Sequence, residues 1–405
     1  MVLRMIDATQ SIRAFNLGRD PVGLSLKYRK MRESAFSFFR GSCHLFNERI
    51  SQEPAHLEAP LAWICGDLHL ENFGSYKADN RQVYFDINDF DEACLAPLSY
   101  ELVRMLCSIT LGASEAGLPP EESDQLRNTF LDAYATSLAQ GKAMWVERET
   151  ATGLIRGLLD AARKRERKDL LEKYTEVQGK KRVLLTGGKR ALPATPAQKV
   201  AVAACLQGLS AAREDPTFYE VLDVAQRLAG TGSLGLERYI ILVRGKGSPD
   251  GNYLLDLKRS VSPSLETHLA NAQPAWPSQA HRIVDSQRRL QAISMAFLQP
   301  VEMNGAAYVL RGLLPSEDRI SLSSSAHQSA AERLDLVGTM GRVVAWAHLR
   351  GSGCSGAANH DALTAFGQDA RWKKYLLQQS TRLTARVTAD WTAFSTALDQ
   401  GALHA

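Results

Sequence analysis

Two short apolar runs, each ending in a burst of carboxylates, limit what this 405-residue chain can be more than any other feature. The first is Leu61 to Cys65, followed by Gly66 and then by Asp67, His69, Glu71 and Asn72. A polar turn with Gly74 and the Asp79-Asn80 pair comes next, after which Val83 to Phe85 runs into Asp86, Asn88, Asp89, Asp91 and Glu92. Runs of this length read as short buried strands, so the stretch predicts a hairpin that presents acidic groups at one edge. Carboxylates gathered this closely raise each other's pKa unless a cation or a proton is shared. An oxygen-only donor set favours magnesium, manganese or calcium over zinc. The plain alternative is an acidic loop at the surface.

Spacing sharpens the reading. Asp67 and Asn72 stand five residues apart, and a further Asp ends the following strand. In a kinase catalytic hairpin the first Asp accepts the proton of the attacking hydroxyl. The Asn and the later Asp hold the metal that bridges the nucleotide phosphates. GDLHLEN followed by DFDEA closely resembles the small-molecule kinases of the aminoglycoside and choline phosphotransferase type. That resemblance implies Asp67 as base, Asn72 with Asp89 or Asp86 as metal ligands, and ATP and Mg2+ as cofactors. Aligning Ala93 with the family's Ala favours Asp89, whereas distance from Asp67 favours Asp86.

A net charge of +4 is too small to argue for nucleic-acid binding across the whole surface. The six cysteines lie far apart and form no CxxC pair, which argues against a disulfide framework or zinc site and for a reducing cytoplasm. The start, MVLRMIDATQ, lacks the apolar core of a signal peptide, and no apolar run approaches a membrane span. A cytoplasmic protein without a membrane partner is expected.

Around the acidic stretch the chain reads as mostly helical. Leu26 to about Ile50 carries apolar residues at helical spacing with a break near Gly41, and Arg40 beside that Gly suits either a phosphate or a hairpin carboxylate. Helices are expected from Tyr100 to about Leu111, from Pro120 to near Met144, and from Gly153 to about Ala162. Residues 163–190 are rich in Lys and Arg: a solvated helix and loop, or a surface for a phosphorylated or nucleic-acid partner. Pro193 and Pro196 mark a linker.

From about Glu220 the pattern becomes strand-like. Gly230-Thr231-Gly232-Ser233-Leu234-Gly235 has the form GxGxxG, which by itself is a weak signal. A dinucleotide-binding fold would follow it with a helix. Here the strand Arg238 to Arg244 follows, then a Gly- and Pro-rich turn and the strand Tyr253 to Lys258. Gly-rich loop, strand, turn, strand and Lys is the order of a kinase's nucleotide-clamping lobe, with Lys258 on the phosphates. In that scheme Glu266 is the candidate partner of Lys258. The strand Ala306 to Leu314, with Arg311, lies in the region that supplies the adenine-stacking wall and hinge. Leu334 to Arg350 reads as a helix whose end, AWAHL, resembles the one that leads into a phosphotransferase catalytic loop.

In an ordinary kinase the Gly-rich lobe and that helix precede the catalytic Asp; here they follow it. The expected fold is therefore α+β: a two-lobed, protein-kinase-like fold, circularly permuted, with a small antiparallel nucleotide lobe and a large helical lobe. Residues 1–220 form the catalytic region with a helical and basic insert at about 120–200. Residues 221–315 form the nucleotide clamp, and 316–405 complete the helical lobe. FFRG, GDLHLENFG, FDINDFDE, GTGSLG and LDLK in this order resemble the bacterial domain of unknown function 2252 family, over about Lys27 to Ser352. That family is grouped with kinase-like folds. One departure is Arg259, where an acidic residue is expected after the Lys.

The expected activity is phosphoryl transfer from ATP to a small-molecule or protein hydroxyl, with nucleotidyl transfer as a neighbouring option. A nucleotide-binding regulator without catalysis would keep Lys258 and the hairpin for binding alone. A metallophosphoesterase is the third reading, because Asp67-Leu68-His69 looks like its DxH motif and Ala358-Asn359-His360-Asp361 like its Asn-His-Asp motif. Almost the whole chain separates those two.

Overall fold

The first three helices begin where a side chain accepts from backbone amides of the first turn. Asp7 accepts from Thr9 and Gln10 to start α1 (Ala8–Phe15), and Asp20 accepts from Gly23 to start α2 (Pro21–Glu33). Ser34 ends α2 in extended conformation and caps α3 (Ala35–Gly41); α4 (Cys43–Ile50) follows at once. The computed structural model describes residues 7–52, 59–188, 190–211, 213–314, 320, 322, 329–369 and 371–403. Residues 1–6 of the start read for targeting features, and the domain boundary at 315–316, lie outside them.

The two apolar runs become β1 (Leu61–Ile64) and β3 (Val83–Ile87), but they do not pair with each other. Instead β2 (Phe73–Lys77) forms the hairpin with β3, Phe73 opposite Ile87, and β1 pairs with β4 (Cys94–Pro97), Leu61 opposite Pro97. Chain closure decides this. Residues 78–82 make a short turn, tied by Ala78 N to Gln82 O at 3.0 Å, and short loops cost least to close. The acidic residues thus lie between two small antiparallel ribbons.

Next come α5 (Leu98–Glu115), α6 (Pro120–Gln140), the short β5 (Val146–Glu147) beside β3, and α7 (Gly153–Lys164). The helix α6 stops at Gly141, whose φ of 65° is left-handed. The basic stretch supplies α8 (Arg167–Tyr174) and a ribbon of β6 (Thr175–Gln178) and β7 (Lys181–Leu184). The residues read as a linker are β8 (Ala191–Pro193) and the start of α9 (Pro196–Ser210). Pro193 is tolerated because β8 is an edge strand, and Pro196 is the first residue of a helix with a Thr195–Gln198 capping box.

The remaining strands are β9 (Val221–Arg227), β10 (Arg238–Val243), β11 (Tyr253–Arg259), β12 (Gln299–Met303) and β13 (Ala306–Gly312), with α10 (Gln279–Leu290) between β11 and β12. They form one antiparallel sheet ordered β12-β13-β11-β10-β9-β8. Side chains alternate across it. Tyr239, Ile241, Leu255 and Leu257 pack on Val202 and Leu206 of α9, while Ile240, Leu242 and Leu254 pack on Leu171 of α8 and Leu184. The part of the 120–200 stretch from Arg167 onward therefore covers the sheet, whereas α6 and α7 join the larger helical core.

That core gathers β1–β4 with α5, α6, α11 (Ala330–Arg350) and α13 (Arg371–Asp399); α12 (His360–Gln368) packs on α6. The architecture is α+β with small antiparallel sheets. The segment leaving α11 returns to β1: Ala358 N donates to Leu61 O at 2.8 Å, and Trp63 Nε1 donates to Cys354 O at 2.9 Å. No helix among the described residues is long and apolar enough to cross a membrane.

Candidate active site

Gly66 lets the two acidic segments touch. Its φ is 82°, and a Cβ there would lie 2.0 Å from the Glu92 carbonyl oxygen. Glu101, in the first turn of α5, accepts from the Cys65 and Gly66 amides at 2.7 and 3.3 Å and so fixes the backbone just ahead of Asp67. The other Glu101 oxygen lies 2.8 Å from His348 Nε2, and His348 Nδ1 lies 2.9 Å from the Tyr134 hydroxyl. The AWAHL helix thus acts on the acidic loop through a side chain.

Asn72 holds both segments, its Nδ2 donating to Asp67 O at 3.1 Å and Asp89 O at 3.3 Å. Its Oδ1 is buried without a hydrogen-bond partner. The Asp67 carboxylate accepts from Arg104 Nε at 2.9 Å and from Arg104 Nη2. Arg104 is itself wedged at 4.1 and 4.8 Å from the ring centres of Phe39 and Phe46. Burial pushes the Asp67 carboxyl up, Arg104 opposes this, and Asp89 adds to the rise.

Asp86 and Asp89 separate cleanly. Asp86 is buried, accepts from the Ile87 and Ala292 amides at 2.8 and 3.0 Å, and lies 3.4 Å from Arg350. It ties the ribbon to the loop after α10. Asp89 lines the cleft with Asp67 and Asn72. Among the described residues no group of three or more His, Cys, Asp or Glu could hold a metal ion. The orphaned Asn72 Oδ1 and the Asp89 carboxylate nevertheless fit Mg2+, which takes one or two protein oxygens and fills its octahedron with phosphate and water.

The facing wall is the glycine-rich loop between β9 and β10. Gly230, Gly232 and Ser233 line the same cleft as Asp67, Asn72 and Asp89. Gly235, at φ 85°, turns the chain into β10 and accepts from Asp20 N at 3.0 Å. Arg19 Nη1 donates to Gly232 O and Leu234 O, both at 2.8 Å, and Lys27 Nζ reaches Gly232 O at 3.2 Å. The loop is held by the N-terminal helices.

Lys258, buried on β11, pairs with Asp91 and lies 3.8 Å from Asp89. Arg40 lines the cleft and pairs with Glu71 at 2.5 Å, so the hairpin carboxylate is its partner in this structure. Glu266 requires a correction. It lies in a single turn, Glu266–His268, and the helix after β11 is α10, which Ser278 caps. That helix contributes Arg282 instead, which donates to the Asp91, Ala93 and Val261 carbonyls at 2.8, 2.5 and 2.9 Å. Arg311 stands behind the glycine-rich loop on a second cavity, 3.3 Å from Asp256. Asn359 caps α12 by accepting from Ala362 N, and His360 Nε2 meets Gly141 O at 2.5 Å. The Asn-His-Asp sequence is thus a helix start.

The family model described as "Uncharacterized protein conserved in bacteria (DUF2252)" matches residues 19–397. The chain belongs to the DUF2252 family. No curated protein and no solved structure matches it. The match takes in both walls of the cleft, including Arg19 and Lys27, which sequence reasoning passed over. Their partner loop lies some two hundred residues away, so no local pattern marks them. Arg104 did leave a signal: a cation among the apolar positions of α5 needs a buried counter-charge.

Proposed function

We propose that this DUF2252 protein is an ATP- and Mg2+-dependent phosphotransferase of two-lobed, circularly permuted kinase-like fold, acting on a hydroxyl-bearing acceptor. The observation that carries the proposal is that Lys258, from the sheet, pairs with Asp91 and lies 3.8 Å from Asp89, two residues that line one cleft with Asp67, Asn72 and the glycine-rich loop. A glycine-rich loop between two strands, a Lys on the third and a helix after it are the parts of a kinase nucleotide lobe. The hydrogen bond from Ala358 to Leu61 supports permutation, because the exit of α11 lies beside the entrance of β1.

In this reading Asp67 accepts the proton of the acceptor hydroxyl as its oxygen attacks the terminal phosphorus of ATP and the bond to the bridging oxygen breaks, leaving ADP. Arg104 keeps that carboxylate in place. Lys258 would neutralise phosphate oxygens. Asn72 and Asp89 would hold Mg2+, which supplies charge neutralisation on the phosphates.

Thermal unfolding with ATP, Mg2+ and both together tests the binding half, and ATP consumption across a panel of hydroxyl acceptors tests the transfer half. Stabilisation that needs both ligands is expected, with Asp67→Ala abolishing transfer while keeping that stabilisation. An unfolding temperature indifferent to ATP with Mg2+ would overturn the proposal.

A further inference from the structure

Behind the glycine-rich loop a second cavity adjoins the first; Arg40, Glu71, Gly230 and Thr231 border both. Asp256 sits beneath it on β11, two residues before Lys258 and therefore on the same face of the strand. Three strands each send one arginine to this single carboxylate. Arg238 makes two bonds to it, at 2.6 and 2.8 Å, Arg227 lies at 2.9 Å and Arg311 at 3.3 Å. The four side chains are between 1% and 10% exposed, and the three arginines line the cavity.

Among the described residues the charges do not balance. Three guanidiniums face one carboxylate, in a place where an uncompensated cation is costly. Burial pulls the Arg227 guanidinium down to about 10. Burial opposes the Asp256 charge as well, yet the arginines outweigh it and hold that carboxyl well below its usual range. The rim adds Lys30 and Arg190 against Glu33, while Arg40 and Glu71 pair with each other. A neutral ring stacked here, as the adenine wall of the sequence reading would require, leaves the excess positive charge in place. A phosphate removes it, and the planar fork of arginine suits phosphate oxygens.

We propose that the arginine cavity binds the phosphate of a polyanionic ligand, with Arg227, Arg238 and Arg311 as its floor and Arg190 and Lys30 at its rim. The phosphate comes either from a nucleotide reaching across the Gly230–Thr231 border or from a phosphorylated acceptor. The proposal rests on the nucleotide reading of the neighbouring cleft only for which of these two molecules brings it.

Pyrophosphate in the presence of EDTA is the probe, which keeps the test independent of Mg2+ and of ATP turnover. Calorimetric titration and thermal unfolding at constant ionic strength should show pyrophosphate binding to the wild-type chain and raising its unfolding temperature. Arg227→Met and the rim variant Arg190→Ala should each weaken that binding at least tenfold, whereas Arg371→Ala, an exposed cation that lines neither cavity, should leave it intact. If Arg227→Met fails to fold, Arg190→Ala and Lys30→Ala, both on the rim, decide the matter. Competition between pyrophosphate and ATP assigns the phosphate to the nucleotide, and simultaneous binding assigns it to the acceptor. No binding at millimolar pyrophosphate, or equal binding by wild type and the arginine variants, overturns the proposal.

Discussion

Lys258 Nζ lies 3.8 Å from Asp89 Oδ1, joining a ribbon of the six-stranded sheet to the acidic loop after β3. Neither stretch makes a cleft alone. Replacing Lys258 by Met should therefore weaken ATP binding by roughly a hundredfold, the order expected for losing a buried charge-assisted contact. It also leaves Asp89 and Asp91 with one cation fewer, so the unfolding temperature should drop. Titration of ATP with Mg2+ measures the first effect, and unchanged affinity would remove Lys258 from the site.

Asp86 and Asp89 should fail in different ways. Asp86→Asn disturbs a buried acceptor of two amides beside Arg350 and should cost about 1–3 kcal/mol of stability. Asp89→Asn, on the cleft wall, should keep the unfolding temperature of the free protein and lose its Mg2+-dependent rise with ATP. Denaturant unfolding and thermal shift, run on both variants, distinguish the two; the reverse assignment would make Asp86 the ligand.

Glu101 positions the loop without reaching the cleft. Glu101→Gln should destabilise by about 1–3 kcal/mol, since it weakens the bonds to the Cys65 and Gly66 amides and to His348. Turnover should fall more than ATP affinity does, because the misplaced group is Asp67. A variant that loses stability with kcat intact would confine Glu101 to a structural part.

Gly66→Ala puts a methyl group against the Glu92 carbonyl and asks a side chain to adopt φ 82°. Backbone strain of this kind costs on the order of 1–3 kcal/mol, and the contact forces the two acidic segments apart. Loss of the ATP–Mg2+ stabilisation in a protein with native circular dichroism is the expected outcome; a fully active Gly66→Ala would show that the segments need not touch.

The pH dependence has opposite signs for activity and stability. Burial raises the Asp67 carboxyl in the folded chain, and in its proposed role as base it acts deprotonated, so the acid limb of kcat/KM should lie above the ordinary carboxylate value of about 4. Burial likewise raises Asp86 and Glu92. Between the unfolded and the folded values the native state binds more protons, so stability falls as pH rises through that window. Chemical denaturation across it should show the decline, and Asp67→Asn should flatten it.

Particular residues show how much of this was legible. The order of elements from β9 to α11 follows hydrophobic period and glycine placement, which are local, and the sequence carries them openly. Asp67, Asn72 and Asp89 stood out because carboxylates crowded into thirty residues repel unless a cation or proton is shared, and the fold brings the three to one cleft. The pairing of β1 with β4 was missed because hydrophobic alternation marks a strand and not its neighbour. Glu266 was put forward for Lys258 because no spacing in the sequence marks the partner of a strand Lys; Glu266 sits in a single turn, and the helix that follows begins at Gln279.

The sequence by itself determined the α+β class, the acidic loop and the glycine-rich turn, since backbone propensity and burial act over a few residues. Only the tertiary structure decided that Arg104 holds Asp67, that Arg19 and Lys27 hold the glycine-rich loop, and that three arginines converge on Asp256. Those choices belong to charges distant in the chain. A buried ion is stable only beside its counter-ion, and which residues meet is fixed by how whole elements pack.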